Sequence, residues 1–191
     1  MELKNDKVII RSIKEEDLYI LWKISYHDDL EWMNWNGPYF HDPIYTWKEF
    51  EEMAKKYYVE HPLKAVLLYG GEIVGMLSAG FEDSDLKHWL EFGICIYRST
   101  TWGKGMGYIA CELWISYLFD LYPYIKRIGC TTWSGNIRMI KLAEKLSLKL
   151  EGRIRKVRYY QNQYWDSMKY GVLREEWAQK EGCIKQKQVV E

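Results

Sequence analysis

Trp102-Gly103-Lys104-Gly105-Met106-Gly107-Tyr108 is the stretch whose residue types and spacing point most directly to chemistry. Three glycines at alternate positions let a backbone approach a ligand closely and turn several N–H groups the same way. A helix opening within the run adds the positive end of its dipole. Together these features describe a diphosphate site whose donors are main-chain amides. The plainer alternative is a tight turn that needs glycine. Other phosphate loops fit less well. The dinucleotide fingerprint is G-x-G-x-x-G after the first strand of a βαβ unit, whereas G-x-G-x-G here follows an antiparallel meander, and G-x-x-x-x-G-K-[ST] is absent.

The elements that must position this run follow from apolar periodicity. Val8 to Arg11 reads as a strand and Ile13 to Ser25 as a helix. His27 to Pro43 is an irregular connection rich in Asp, Asn, Gly, Pro and Trp. Thr46 is an N-cap with Glu49 three residues on, opening a helix to about Tyr58. Ala65 to Tyr69, a Gly70-Gly71 turn, Glu72 to Phe81, a polar turn and His88 to Tyr97 form a three-strand meander. In its last strand Leu90, Phe92, Ile94 and Ile96 point one way, and Glu91, Gly93, Cys95 and Tyr97 the other. The helix after the glycine run places Met106, Ile109, Ala110, Leu113, Trp114, Tyr117 and Leu118 on one face. Ile125 to Trp133 is a strand, and Asn136 caps a helix with Met139, Leu142, Ala143 and Leu146 inward. Lys149 to Tyr160 and Tyr164 to Leu173 close the order as a hairpin around Gln161-Asn162-Gln163. The tail from Arg174 is charged, helical and then frayed. This is a mixed α/β chain with no linker and no repeat: one domain over 1–177 and a charged tail over 178–191.

Composition sets bounds on the partners. The 191 residues are 48% apolar and 28% charged, which supports a folded core and excludes disorder. Lys plus Arg and Asp plus Glu are 27 each, so a polyanion-seeking surface, and nucleic acid as a partner, are not expected. Ten Trp and sixteen Tyr point to an aromatic core and an aromatic-lined pocket. Cys95, Cys111, Cys130 and Cys183 lie far apart, and His27, His41, His61 and His88 are scattered, so neither a disulfide framework nor a metal site is expected. The opening MELKNDKVII lacks the apolar stretch of a signal peptide, and no stretch approaches the roughly 20 apolar residues of a membrane span. A soluble, cytoplasmic protein is the expectation.

The ordered set of motifs resembles the GNAT acetyltransferase superfamily, in particular its branch similar to the ribosomal-protein alanine N-acetyltransferases (RimJ/RimL-like), over nearly the whole chain. Ile9-Ile10-Arg11 with Lys14-Glu15-Glu16-Asp17 looks like that branch's opening, and Trp102 to Tyr108 like its acetyl-CoA loop. Asn136 with Leu142, Glu144, Lys145 and Leu146 looks like its Asn-led helix, and Glu151-Gly152-Arg153 like the strand after it. Asp166 and Leu173-Arg174-Glu175-Glu176-Trp177 look like its close. The resemblance implies a mostly antiparallel, twisted sheet of about seven strands, splayed at the middle and flanked by about four helices. Four features depart from the superfamily pattern. Trp102 opens the loop in place of Gln or Arg, and Met139 stands three after the Asn in place of Ser or Ala. Ser147-Leu148 replaces Gly-Phe. Ala143 occupies the place of a Tyr general acid.

The resemblance further implies acetyl-CoA as cofactor and transfer of its acetyl group to a primary amine: a peptide N-terminus, a polyamine or an amino sugar. The amine attacks the thioester directly, without a covalent enzyme intermediate. The cofactor would lie between the strands ending at Tyr97 and Trp133. Its pantetheine would run along Ile94, Cys95, Ile96 and Tyr97, and its diphosphate would sit on Trp102, Gly103, Lys104, Gly105, Met106, Gly107 and Tyr108. Asn136, Arg138 and Lys141 would line the other side, with Asn136 near the thioester. Glu91 is the candidate base, since it interrupts an apolar strand. Tyr97, Tyr159, Tyr160, Tyr164 or water would be the acid, and Cys95 a packing residue. Trp32, Trp35, Tyr39, Glu91, Trp133 and Tyr160 are the candidate acceptor contacts. The first three lie among Phe40, Asp28, Asp29, Glu31 and Asp42, a mixture suited to a cationic amine or to an aromatic staple. The basic run Lys145, Lys149, Arg153, Arg155, Lys156 and Arg158 would serve the 3′-phosphate, a ribosome surface or solvent. A non-catalytic acyl-CoA-binding module is the alternative, and a homodimer is possible.

Overall fold

The computed structural model describes residues 1–180. Cys183 and the fraying expected of the tail lie outside the described residues. Eight strands form one sheet: β1 Glu2–Lys4, β2 Val8–Ser12, β3 Lys64–Tyr69, β4 Glu72–Phe81, β5 Leu90–Ile96, β6 Arg127–Trp133, β7 Lys149–Tyr160 and β8 Gln163–Leu173. Their order is β1-β2-β3-β4-β5-β6-β8-β7. The strand beyond the expected seven is β1, three residues of a polar opening whose pairing with β2 (Leu3 opposite Ile10) no alternation announced. Helices α1 Leu18–Trp22, α2 Trp47–Tyr57, α3 Met106–Leu121 and α4 Ile137–Lys145 flank the sheet, and residues 174–180 are helical. None of these helices is long and apolar enough to cross a membrane.

Local signals account for most boundaries. Thr46 and Glu49 form the reciprocal capping box that opens α2, with Thr46 N donating to Glu49 Oε2 at 2.9 Å. Asn136 Oδ1 accepts from Met139 N at 3.0 Å and caps α4. The first helix is less regular than its periodicity predicts. A 3₁₀ turn over Glu15–Asp17 precedes α1, and a π turn over Lys23–His27 follows it. In the π turn Asp28 N donates to Lys23 O, and the Ser25 carbonyl accepts the Trp32 indole N–H at 2.7 Å. A distant side chain thus takes an acceptor that a regular ladder would have used.

The sheet carries a core on each face. One packs α3 and α4 against Leu67, Leu77, Leu90 and Phe92. The other packs α1 and α2 against Val66, Met76 and Tyr97. The buried face of α3 is rotated from the expected one: Cys111, Ile115 and Phe119 are buried with Met106, Ala110, Trp114 and Leu118. Ile109, Leu113 and Tyr117 are only partly covered. The helix is apolar around most of its girth, so periodicity alone does not orient it and the sheet does.

Every neighbouring pair is antiparallel except β5 and β6. These two are joined by the α3 crossover that parallel strands require, and they pair only at Leu90–Ile128 and Glu91–Gly129. Past Glu91 they diverge, and β6 continues along β8 as far as Trp133–Ser167. The sheet is therefore splayed at its middle.

Candidate functional site

The splay opens into a cavity of about 750 Å³. Its floor is Ile94, Cys95 and Ile96 of β5. The loop Trp102 to Tyr108 forms one wall, and the α4 side from Asn136 to Lys145 forms the other. Trp32, Trp35 and Asn36 lie across one end.

The glycine loop is shaped by left-handed backbone at Gly103 (φ 78°) and Gly105 (φ 79°), where other residues are strained. A Cβ at either position would meet no atom within 4 Å. The amides bounding the loop are engaged: Trp102 N donates to Ser99 O at 3.1 Å, and Ile109 N to Gly105 O at 3.5 Å. Between them, the amides of Gly103 through Tyr108 have no acceptor among the described residues. These open donors sit at the positive end of the sixteen-residue α3.

The floor turns backbone groups to the cavity too, all but one of them open. Tyr97 N donates to Val74 O at 2.9 Å, so strand alternation turns the N–H and C=O of Ile94 and Ile96 toward the splay. The Ile96 carbonyl accepts the Trp102 indole N–H at 2.8 Å, which ties the loop to the strand. Lys104, Arg138, Lys141 and Lys145 all line the cavity, none forms an ion pair among the described residues, and no carboxylate lines it. Arg138 lies between two indoles, 4.2 Å from the Trp102 ring centroid and 4.7 Å from that of Trp35. Tyr108 donates to Glu112 at 2.7 Å, and burial together with that bond pushes its hydroxyl to about 12. These residues fit a large polyanionic group that carries amides: directional donors, unpaired cations and an open strand edge.

Several predicted site residues stand elsewhere. Glu91 is buried but does not line the cavity. Its Oε1 accepts from Arg127 Nη1 at 2.7 Å and from the Trp89 indole at 2.8 Å, and its Oε2 from Thr131 at 2.9 Å. Arg127 also pairs with Glu151. Glu91 is thus part of an ion-pair network on the sheet face, and two of its three partners, Arg127 and Thr131, come from 36 and 40 positions away. Tyr97 is buried and packs edge-on against Trp32 (5.2 Å between centroids) without reaching the cavity wall; burial holds its hydroxyl proton far above the ordinary tyrosine range. Cys95 does line the cavity, and burial raises its thiol pKa as well. Asn136 lines the cavity with both ends of its amide engaged, Oδ1 on the cap and Nδ2 donating to Trp35 O at 2.9 Å. The Trp133 indole donates to the same carbonyl at 2.9 Å. Trp133, Tyr39 and Tyr160 form a cluster beside the cavity, Trp133 at 5.9 Å from each of the others.

Two acidic residues of the aromatic segment, Asp29 and Glu31, bind their own surroundings. Asp29 accepts the Ser99 amide at 3.0 Å and the Glu31 amide, which hold it below the usual carboxylate range. Glu31 accepts the Trp35 indole at 3.2 Å. Conversely, Asn36, Ser99, Thr101, Met139 and Leu142 line the cavity beyond the set named from sequence, and of the basic run Lys145 lines it. Periodicity marked Met139 and Leu142 as inward on α4, but inward at that point means toward the splay. No local signal marks Asn36, Ser99 or Thr101.

Residues 7–149 match the family described as acetyltransferase (GNAT) domain. Over 115 residues the chain is 29% identical to the "Putative ribosomal N-acetyltransferase YdaF" of Bacillus subtilis, which covers 60% of this chain and 61% of that protein. The chain thus spans about three fifths of the length of the curated relative it matches. Among solved structures, a GNAT-family acetyltransferase from Bacillus anthracis superposes with a TM-score of 0.74 at 21% identity, covering 92% of this chain and 100% of that one. Spermidine N-acetyltransferase from Vibrio cholerae, in complex with CoA and spermine, also gives 0.74, at 18% identity over 91% of this chain and 99% of that one. At such identities the likeness is one of fold.

Proposed function

The chain belongs to the GNAT acetyltransferase family, and from that premise we propose that it transfers an acetyl group from acetyl-CoA to a primary amine. The observation that carries this reading is the run of amides from Gly103 through Tyr108 with no acceptor among the described residues at the head of α3. Those amides hold the diphosphate. Lys104, Lys141 and Lys145 offset phosphate charge from the cavity walls. The open edge of β5 at Ile94 and Ile96 orders the pantetheine as an added strand would be ordered. Acetyl-CoA supplies an activated thioester acetyl group at the end of the cavity under Trp32 and Trp35.

Among the described residues no carboxylate or histidine lines the cavity, so the ammonium proton of the acceptor leaves to water before attack, and the departing CoA thiolate takes its proton from water. Turnover then rises with pH toward the pKa of the amine, about 8 for a peptide N-terminus and above 10 for a lysine-like amine. With no carboxylate among the described residues that line the cavity, an acceptor of low charge, such as a peptide amino terminus, is favoured over a polyamine. The ribosomal acceptor suggested by the RimJ/RimL-like motifs and by the name of the B. subtilis relative falls in that class. Residues 1–177 work as one catalytic domain, in the cytoplasm.

The test is calorimetry with acetyl-CoA, followed by thiol release with a panel of peptides, polyamines and amino sugars. Binding with turnover on peptides supports the reading. A second reading, an acyl-CoA-binding module without turnover, draws on Ala143, which is fully buried where relatives of this type carry a tyrosine acid. Tight binding with no turnover on any amine selects that module. Absence of binding ends both.

A further inference from the structure

The segment from Trp32 to Phe40 is a strap across the two arms of the splay. At one end, the Trp32 indole donates to Ser25 O and its ring packs on Tyr97, beyond the last residue of β5. At the other, the Trp35 carbonyl accepts from Trp133 of β6 and from Asn136 at the head of α4. Left-handed backbone at Gly37 (φ 67°) and His41 (φ 54°) brackets the short turn that follows. Arg158 caps that turn, its guanidinium 5.0 Å from the Tyr39 ring and 5.2 Å from the Phe40 ring.

Arg138 joins this strap to the phosphate-binding loop. Its planar guanidinium rests on Trp35 of the strap and on Trp102, the first residue of the loop. A guanidinium stacks through its faces and donates through its edge. No hydrogen bond or ion pair occupies the edge of Arg138 among the described residues. It can therefore take a phosphate oxygen without leaving either ring.

Building on the acetyl-CoA reading, we propose that Arg138 is a positioning residue that couples occupancy of the phosphate loop to placement of the strap over the acetyl-transfer end. Anion binding at its edge fixes the guanidinium plane. The stack fixes Trp35, and the Trp35 carbonyl, already held by Trp133 and Asn136, fixes the backbone. Cofactor thereby stiffens the surface that the acceptor meets.

The experiment follows chymotryptic cleavage after Tyr39 and Phe40 by mass spectrometry, with the full chain in the absence and presence of saturating CoA, and calorimetry in parallel. In the wild type, CoA is expected to slow strap cleavage about tenfold or more. Arg138→Ala and Trp35→Leu are expected to bind CoA within about tenfold of wild type, to lose that protection and to raise the acceptor KM more than the acetyl-CoA KM. Arg138→Lys, which keeps the charge without the flat stack, should fall between. CoA binding that leaves wild-type cleavage unchanged overturns the coupling while sparing the acetyl-CoA reading. Equal protection in Arg138→Ala does the same. Absence of CoA binding to the wild type overturns both.

Discussion

Gly105 combines three properties at one residue: left-handed backbone, a Cβ direction that meets no atom within 4 Å, and a place at the N-cap of α3 among amides with no acceptor among the described residues. Gly105→Val adds strain of about 1–2 kcal/mol for a left-handed L-residue. It also sets a branched side chain where a diphosphate would lie. The expected result is a folded protein, by circular dichroism, with CoA affinity lowered at least tenfold by calorimetry; unchanged affinity would move the diphosphate elsewhere. Glu91 leads to the opposite prediction. Its two oxygens serve Arg127, Trp89 and Thr131, and it stands outside the cavity. Glu91→Gln is expected to cost about 2–3 kcal/mol in urea unfolding, because Arg127 loses one of its two carboxylates in a mostly buried setting. The pH dependence of turnover should keep its wild-type shape. A shifted profile with intact stability would restore Glu91 as the base.

Between elements, the joint of β2 with the turn that leads into α1 is tied by charge. Arg11 grips Asp17 with two bonds, 2.6 and 2.7 Å, and the Lys14 amide donates to the same carboxylate at 2.9 Å. Burial opposes ionisation of Asp17, but the Arg11 and Lys14 bonds outweigh it and hold the carboxyl below the ordinary aspartate range. Because the folded form has the lower pKa, the joint contributes fully above about pH 4, the unfolded value. The contribution fades as pH falls through the folded value. Arg11→Ala leaves Asp17 buried without its partner and is expected to cost about 3 kcal/mol at pH 7. The deficit against wild type should shrink at pH 3, which paired melts at the two pH values would read. An equal deficit at both would mean that Arg11 acts through packing instead. This joint also explains the Arg11 and Asp17 spacing in the sequence: a strand end six residues from a helical turn lets the two side chains meet.

Across the whole molecule, the splay between β5 and β6 lets one sheet carry both a closed core and an open cleft. A ligand bound across it touches β5, the head of α3 and α4 at once, so binding stabilises the entire fold. At one hundred times its dissociation constant, CoA is expected to add about 2.7 kcal/mol. For a chain of this size that raises the melting temperature by roughly 5–10 °C. A thermal-shift titration checks this, and a flat response would contradict binding in the splay. The sequence by itself determined whatever is decided within a few residues: the caps at Thr46 and Asn136, the turn at Gly70-Gly71, the bounds of β4 and β7, and the glycine run, because φ preferences and capping bonds are local. Only the tertiary structure decided which face α3 buries, that Glu91 belongs to Arg127, and that Asn136 and Trp133 hold the carbonyl of Trp35. Those pairings join residues 36 to 101 positions apart, and a side chain that must choose among many distant partners is assigned by the packing of the chain as a whole.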